Sequence, residues 1–456
     1  MKMRKVKILQ NQTVSLGILF LLRTTFGVIA GLVVPILVIK SIGLAKYGEF
    51  IFLSTLSLVL LIVSELGING VFLRNALHLE KEQAKEYLWK AFLLRVLTFI
   101  PFALISIVGV VIFNHFHPLP NLVAKLLWVI LSTFFLTLQG MFYLTNLGLR
   151  RNYPQMASEF ASRLVWIVGA YFGAKYYGVS GLLAVTTLAT FLQVLIGGAG
   201  LVKYSLTKNY TFKEIWDSSR HFGVNTILMG LLNKVDILVI GIFFGGAYTG
   251  AYGYGSRIRD FFIDFVGTAT SSYFKKFKSE ERNMVVKLQK ILAYLAALLG
   301  FLGLPFALLV GSILKEHNPR EVILSITFFS FLGVIIVLNQ NILWDLTAKN
   351  LVKELNQATL YNTIAKTILI ILTGFTLGFP GLLLGLFFAE ILYLLSLTQI
   401  LKDKHNYDYL LVYLPLALLT LPLLLAYKFG LLPLFVATVI ILLILYALRE
   451  RIKSYF

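Results

Sequence analysis

Nine ionisable side chains lie near the middle of long apolar runs of this sequence, and their chemistry has to be explained if those runs cross a membrane. Five are basic (Arg23, Lys234, Arg257, Arg259, Lys366) and four acidic (Asp236, Asp260, Asp264, Glu390). A charge at mid-bilayer depth costs at least about 2.5 kcal/mol on insertion scales, so each must meet protein, a partner or water. Arg257, Asp260 and Asp264 are spaced i, i+3, i+7 and Glu159 and Arg163 i, i+4, so each set shares one helix face and can neutralise itself. Arg23, Arg259 and Lys366 have no acid three or four positions away. Their partners must come from a neighbouring helix, with Glu65, Asp264 and Glu390 as candidates, or from an anionic cargo. Guanidinium forks onto two phosphate oxygens, and a low-dielectric cavity strengthens both contacts. The five basic residues are therefore the candidate substrate-binding set. The four acids are candidate sites for a coupling proton or sodium ion, and no spacing chooses between the two.

No catalytic or metal-binding constellation accompanies these charges. His115 and His117 form the one close histidine pair, with no acid nearby to complete a metal site, and the chain has no cysteine for thiolate ligation or disulfides. The expectation is a protein that is not an enzyme, with no catalytic residue, no metal and no cofactor beyond a coupling ion.

The elements that carry the charges follow from composition. Of 456 residues, 58% are hydrophobic and 14% charged, which excludes an ordinary soluble domain. Apolar runs of about 18 or more residues recur along the chain, each long enough to cross the hydrocarbon as a helix. Lipid forbids open sheet edges, and the runs lack the alternation of an outer-membrane barrel. Dividing them at charges and Gly/Pro breaks predicts fourteen spans: 14 to 39, 49 to 72, 91 to 113, 122 to 145, 156 to 176, 179 to 201, 220 to 245, 248 to 270, 288 to 310, 321 to 345, 356 to 377, 379 to 400, 410 to 427 and 432 to 448. The first, Val14 to Ile39, is too long for a cleaved signal segment and reads as a retained helix.

With the N-terminus inside, the inner segments carry 26 Lys and Arg and the outer segments 7, so both termini are expected in the cytoplasm of a bacterial or archaeal cell, with the spans in its inner membrane. The net charge of +20 is spread between apolar runs rather than gathered on one soluble face, which argues against nucleic acid as a partner. Tyr248, Tyr252 and Tyr254 read as interfacial belt residues, and Pro35, Pro101, Pro305, Pro415 and Pro422 fall inside spans.

An offset of about 202 residues lays one half of the chain on the other: Gly48 meets Gly250, Phe72 meets Phe274 and Arg74 meets Lys276, each followed by a charged amphipathic stretch. Six spans separate the equivalents, so the copies share one membrane orientation. The fold class expected is an all-α polytopic membrane protein of about fourteen helices, with two six-helix lobes and an extra helix pair. Its parts are a cytoplasmic tail (1 to 13), an N-terminal lobe (14 to 201), an inter-lobe linker (202 to 219), a C-terminal lobe (220 to 400) and the extra pair with a cytoplasmic tail (401 to 456).

The stretch Ile42-Gly43-Leu44-Ala45-Lys46-Tyr47-Gly48-Glu49-Phe50, then Ser64-Glu65-Leu66-Gly67-Ile68-Asn69 and Arg74, resembles the first two helices of the polysaccharide transporters, the O-antigen and teichoic-acid flippase family (Wzx-type). Asn233-Lys234-Val235-Asp236-Ile237-Leu238-Val239-Ile240-Gly241 with Gly250-Ala251-Tyr252 resembles the start of that family's second half. The resemblance implies a member of the multidrug/oligosaccharidyl-lipid/polysaccharide exporter superfamily. Such a protein moves an undecaprenyl-pyrophosphate-linked oligosaccharide across the inner membrane by alternating access around a cationic cavity. Its partners would be that lipid-linked substrate, membrane lipids, and the polymerase or glycosyltransferases of the same pathway. The extra helix pair is closer to the lipid II flippase pattern, and a cation-coupled multidrug exporter of the same fold is the alternative.

Overall fold

The computed structural model describes residues 26–27, 29–65, 68, 81–116, 118, 121–148, 152–199, 212–271, 282–315, 319–348 and 351–405. Those residues are almost entirely helical. A short π-helical segment, Ile29–Val33, leads into α1 (Val34–Ile42), then α2 (Leu44–Glu65), α3 (Lys81–Phe116), α4 (Leu122–Gly148), α5 (Asn152–Gly198), α6 (Phe212–Phe244) and α7 (Gly246–Ser271). The order continues with α8 (Arg282–Ile313), α9 (Arg320–Ala348), α10 (Val352–Leu377) and α11 (Phe379–His405). The spans expected at 410 to 427 and 432 to 448 lie outside the described residues.

Seven stretches of these helices are long and apolar enough to cross a membrane: Leu44–Glu65, Phe92–Ile112, Leu122–Tyr143, Tyr153–Gly198, Arg320–Thr347, Lys353–Leu377 and Phe379–Ile400. The chain is a multi-pass membrane protein. α3 shows why. Leu97, Ile100, Leu104, Val108 and Val111 recur at helical spacing, each more than half exposed, while Arg95, Phe99, Ser106 and Val110 are buried on the other side. A helix that presents apolar side chains outward and hides a charge inward is folded for lipid, not water.

The chain divides into two compact units, Met1–Gly250 and Ala251–Phe456. The first holds α1 to α6 and the opening turn of α7; α6 lies along α2, with Gly241 against Phe52 and Gly230 against Ile62. The second holds the rest of α7 and α8 to α11, in which α8 pairs with α9, α10 with α11, and α9 lies beside α11.

Equivalent turns recur at an offset of about 200 residues. Gly43, between α1 and α2, has φ +83°, and Gly245, between α6 and α7, has φ +84°. In both, the N–H four residues on donates to the glycine carbonyl at 3.1 Å, from Tyr47 and from Thr249. Gly178, which breaks α5, and Gly378, between α10 and α11, have φ +59° and +66°. A left-handed backbone costs a side-chain-bearing residue steric strain that glycine escapes, so these glycines mark where one apolar run becomes two antiparallel helices. α5 is thus two helices, matching the separate segments expected at 156 to 176 and 179 to 201.

Near the start of the described chain, the π segment and Pro35 explain a specific tertiary bond. In a π-turn the Ala30 carbonyl looks to the N–H of residue 35, and proline has none. The Trp166 indole N–H of α5 donates to that carbonyl at 3.2 Å, and its ring stacks on Phe50 at 5.7 Å. Trp166→Phe keeps an aromatic ring but removes the donor. It is expected to lower stability by about 1 kcal/mol, read as a lower unfolding midpoint of the detergent-purified protein; an unchanged midpoint would show that the carbonyl is satisfied without Trp166.

Candidate functional site

The clearest constellation of intramembrane charge lies wholly in the second unit. Lys366 on α10 is 1% exposed, and its ammonium lies 3.6 Å from the Glu390 carboxylate on α11. Asn339 of α9 donates its side-chain amide to the other Glu390 oxygen at 2.9 Å. One turn further along α11, the Tyr393 and Thr359 hydroxyls share a hydrogen bond at 2.9 Å. The pair is placed by the Gly378 turn: Lys366 precedes it and Glu390 follows it by twelve residues each. At 1.5 Å of rise per residue that depth is about 18 Å, near the middle of a bilayer. Between Thr359 and Lys366 on the same stripe of α10 sits Asn362, which is buried, and among the described residues neither its amide nitrogen nor its oxygen has a hydrogen-bond partner.

The α7 charges are arranged differently from the expected ladder. Arg259 is 2% exposed; its Nε lies 3.6 Å from the carboxylate of the adjacent Asp260, and its guanidinium faces the Phe329 ring of α9 at 5.8 Å. Arg257 and Asp260 are half-buried and Asp264 is exposed, so the residues expected on one face sit at two levels of burial. Tyr252 and Tyr254 are fully buried, with Tyr252 edge-on to Phe329 at 5.0 Å, which corrects their reading as belt residues. Gly255 of α7 lies against Ser325 and Phe329, so α9 approaches closely enough for Phe329 to cover the Tyr252 ring.

In the first unit, Asp236 of α6 is buried and accepts the Ile237 backbone N–H at 2.9 Å, while Lys234 is half-buried. Arg163 lies over Gly27, and Glu159 accepts from the Gln155 side chain. Arg23 lies outside the described residues.

Two ion pairs involve charges that sequence reasoning passed over. Lys125, near the start of the span expected from 122 to 145, belongs to α4, where it is buried and paired with Glu49 of α2. Arg95 of α3 is 1% exposed and lies 3.8 Å from Glu65 of α2. Placing the third span at 91 put Arg95 within four residues of its end, where arginine can snorkel to water. The helix starts at Lys81 instead, so Arg95 lies well inside a continuous helix, where packing rather than depth buries it. A longer helical reading of the amphipathic stretch before it was the available signal.

The sequence matches no family profile and no curated protein. Solved structures do match. The lipid II flippase MurJ in an inward closed conformation aligns with TM-score 0.71 at 16% identity, covering 96% of this chain and all of that one. The fold is shared with MOP-superfamily transporters. An inward-facing multidrug resistance MATE family transporter of that superfamily aligns with TM-score 0.63 at 13% identity over 85% of this chain and 99% of that one. The eukaryotic MATE transporter AtDTX14 aligns with TM-score 0.56 at 15% identity over 84% and 96%. At these identities the likeness concerns the fold, so which side chains do the work has to be argued from this chain's own charges.

Proposed function

We propose that this chain is a flippase that carries an undecaprenyl-pyrophosphate-linked oligosaccharide, of the O-antigen or a similar surface-polysaccharide type, across the inner membrane by alternating access of two six-helix lobes. The observation that carries the reading is a fold shared with a lipid II flippase over nearly the whole chain. The recurring glycine turns support the two-lobe repeat. The helices expected at 410 to 427 and 432 to 448 complete fourteen spans and return the C-terminus to the cytoplasm. The cargo follows from charge: with Lys366 and Glu390 paired to each other, the basic Arg23, Lys234, Arg257 and Arg259 outnumber Asp236, Asp260 and Asp264, and an anion at Arg259 competes with the adjacent Asp260. A role for Lys366 in holding cargo requires that pair to open.

A second reading, a cation-coupled multidrug exporter, is favoured by the likeness to MATE transporters and by the burial of Asp236. One experiment separates the two. Full-length protein in lipid nanodiscs is titrated with undecaprenyl pyrophosphate, alone and as the Arg23→Gln and Arg259→Gln variants. Loss of a bidentate phosphate contact is worth about tenfold or more in affinity, and that is the expected drop for each variant. Unchanged binding in both, with proton- or sodium-driven efflux of a cationic dye, would establish the exporter instead.

A further inference from the structure

Among the described residues, Arg95 is a buried charge with more than one donor left open. The α3 backbone carries it to the α2–α3 contact, where the Thr98 hydroxyl donates to the Ser64 carbonyl at 3.1 Å and fixes the two helices one turn away. Glu65 is its ion-pair partner, yet at 3.8 Å the contact is about 1 Å too long for a charge-assisted hydrogen bond. Among the described residues, Arg95 Nε and Nη1 have no hydrogen-bond partner, and both atoms are shut off from solvent. Nε shares the side-on edge of the guanidinium fork with Nη2, and Nη1 shares the end-on edge, so each of the two edges that can grip an oxyanion keeps an open donor. Buried donors left open call for a partner that arrives.

Its position suggests what arrives. Glu65 lies 21 residues beyond the start of α2, about 32 Å along the axis, so the Arg95 group sits near the membrane face that the charge bias assigns to the cytoplasm. The sequence leading into it carries Arg74, Lys81, Lys85 and Lys90 interleaved with Glu80, Glu82 and Glu86, a charged stretch with only a small positive excess, so the case for an anion rests on the open donors of Arg95 itself.

We infer that Arg95 is a phosphate-binding residue at the cytoplasmic end of the α2–α3 pair, held by Glu65 when empty and released to an oxyanion of the phosphate class when one enters. The inference deepens the flippase reading, on which it rests for the natural ligand, by giving the cargo's pyrophosphate a first contact on the loading side. A phospholipid headgroup supplies the same chemistry.

The test uses full-length protein in phosphatidylcholine nanodiscs titrated calorimetrically with inorganic pyrophosphate, so no transport is needed. Arg95→Gln is expected to weaken binding about tenfold or more, and Arg95→Lys, which keeps charge but loses the fork, to fall between. Glu65→Gln is expected to tighten binding severalfold, because the competing carboxylate is gone. A purely structural Arg95–Glu65 pair moves the other way or not at all, so Glu65→Gln decides the matter even if Arg95→Gln does not fold. Wild-type affinity in Arg95→Gln, or weaker binding in Glu65→Gln, overturns the site. Repeating the titration with phosphatidylglycerol in the nanodisc assigns the source. An apparent loss of pyrophosphate affinity that needs Arg95 marks a lipid headgroup as occupant, and no loss marks a soluble or cargo-borne phosphate, the site standing in either case. Arg95-dependent pyrophosphate binding without binding of undecaprenyl pyrophosphate keeps the site and removes the flippase reading.

Discussion

Glu390→Leu, with Lys366 left in place, is expected to destabilise the protein by about 3 to 5 kcal/mol, the cost of stranding one member of a buried ion pair. The change removes two contacts at once. The Lys366 ammonium, 1% exposed, loses the carboxylate at 3.6 Å, and the Asn339 amide loses its carboxylate acceptor at 2.9 Å and keeps only the Glu390 carbonyl at 3.3 Å; the ammonium cannot reach water at this depth without opening the α9–α10–α11 contact. Lys366→Met should cost a similar amount, for it leaves the Glu390 carboxylate unpaired. The double variant Lys366→Met/Glu390→Leu should recover most of the loss, because two apolar side chains of similar volume need no partner. Thermal unfolding of the four proteins in one detergent gives the coupling directly. Additive single losses with no recovery would show that the pair is not the unit of stability.

Gly48→Ala is expected to be nearly as damaging, although it adds a single methyl group. A Cβ at Gly48 would stand 1.7 Å from the Gly246 carbonyl oxygen and 2.6 Å from the Gly250 nitrogen, so it meets backbone, which cannot rotate aside. The helices α2 and α7 must separate at their first turns, and the cost should reach the upper end of overpacking, about 3 kcal/mol or more. Gly31→Ala supplies the control. Nothing lies within 4 Å of a Cβ there, and the same chemical change should be tolerated. Unfolding midpoints of the two variants that differ little would mean the α2–α7 approach relaxes freely. Gly48 and Gly250 are the residues that the repeat lays on each other, so two copies of one element touch at their equivalent positions, where only the smallest residue lets the backbones meet.

The charges were legible one helix at a time and not between helices. The segment from 379 to 400 and its neighbour from 356 to 377 were readable because a charge-poor apolar run must satisfy its own backbone in lipid, and Gly378 marks the turn. Lys366 was readable as a charge in need of a partner, and Glu390 as one of several candidates. That the two meet depends on how α10 and α11 rotate about their own axes after the turn, a consequence of the whole packed surface.

Arg95 and Lys125 show the same limit from the other side. Each stands near the end of an expected span, where an arginine or lysine commonly reaches water, and in the folded chain each is turned inward instead, to Glu65 and to Glu49. Tyr252 and Tyr254 were set at an interface by their type, and tertiary packing buries both, with Phe329 of α9 against Tyr252.

By itself, then, the sequence determined the helical class, the places where the apolar runs begin and turn, and the presence of charge inside them, because these follow from chain-local hydrogen bonding, hydropathy and glycine's backbone freedom. Only the tertiary structure decided which charge meets which, since that depends on the relative depth and rotation of helices far apart in the chain. The pairing leaves Arg95 with open donors at the membrane's edge while it closes Lys366 onto Glu390 in the middle.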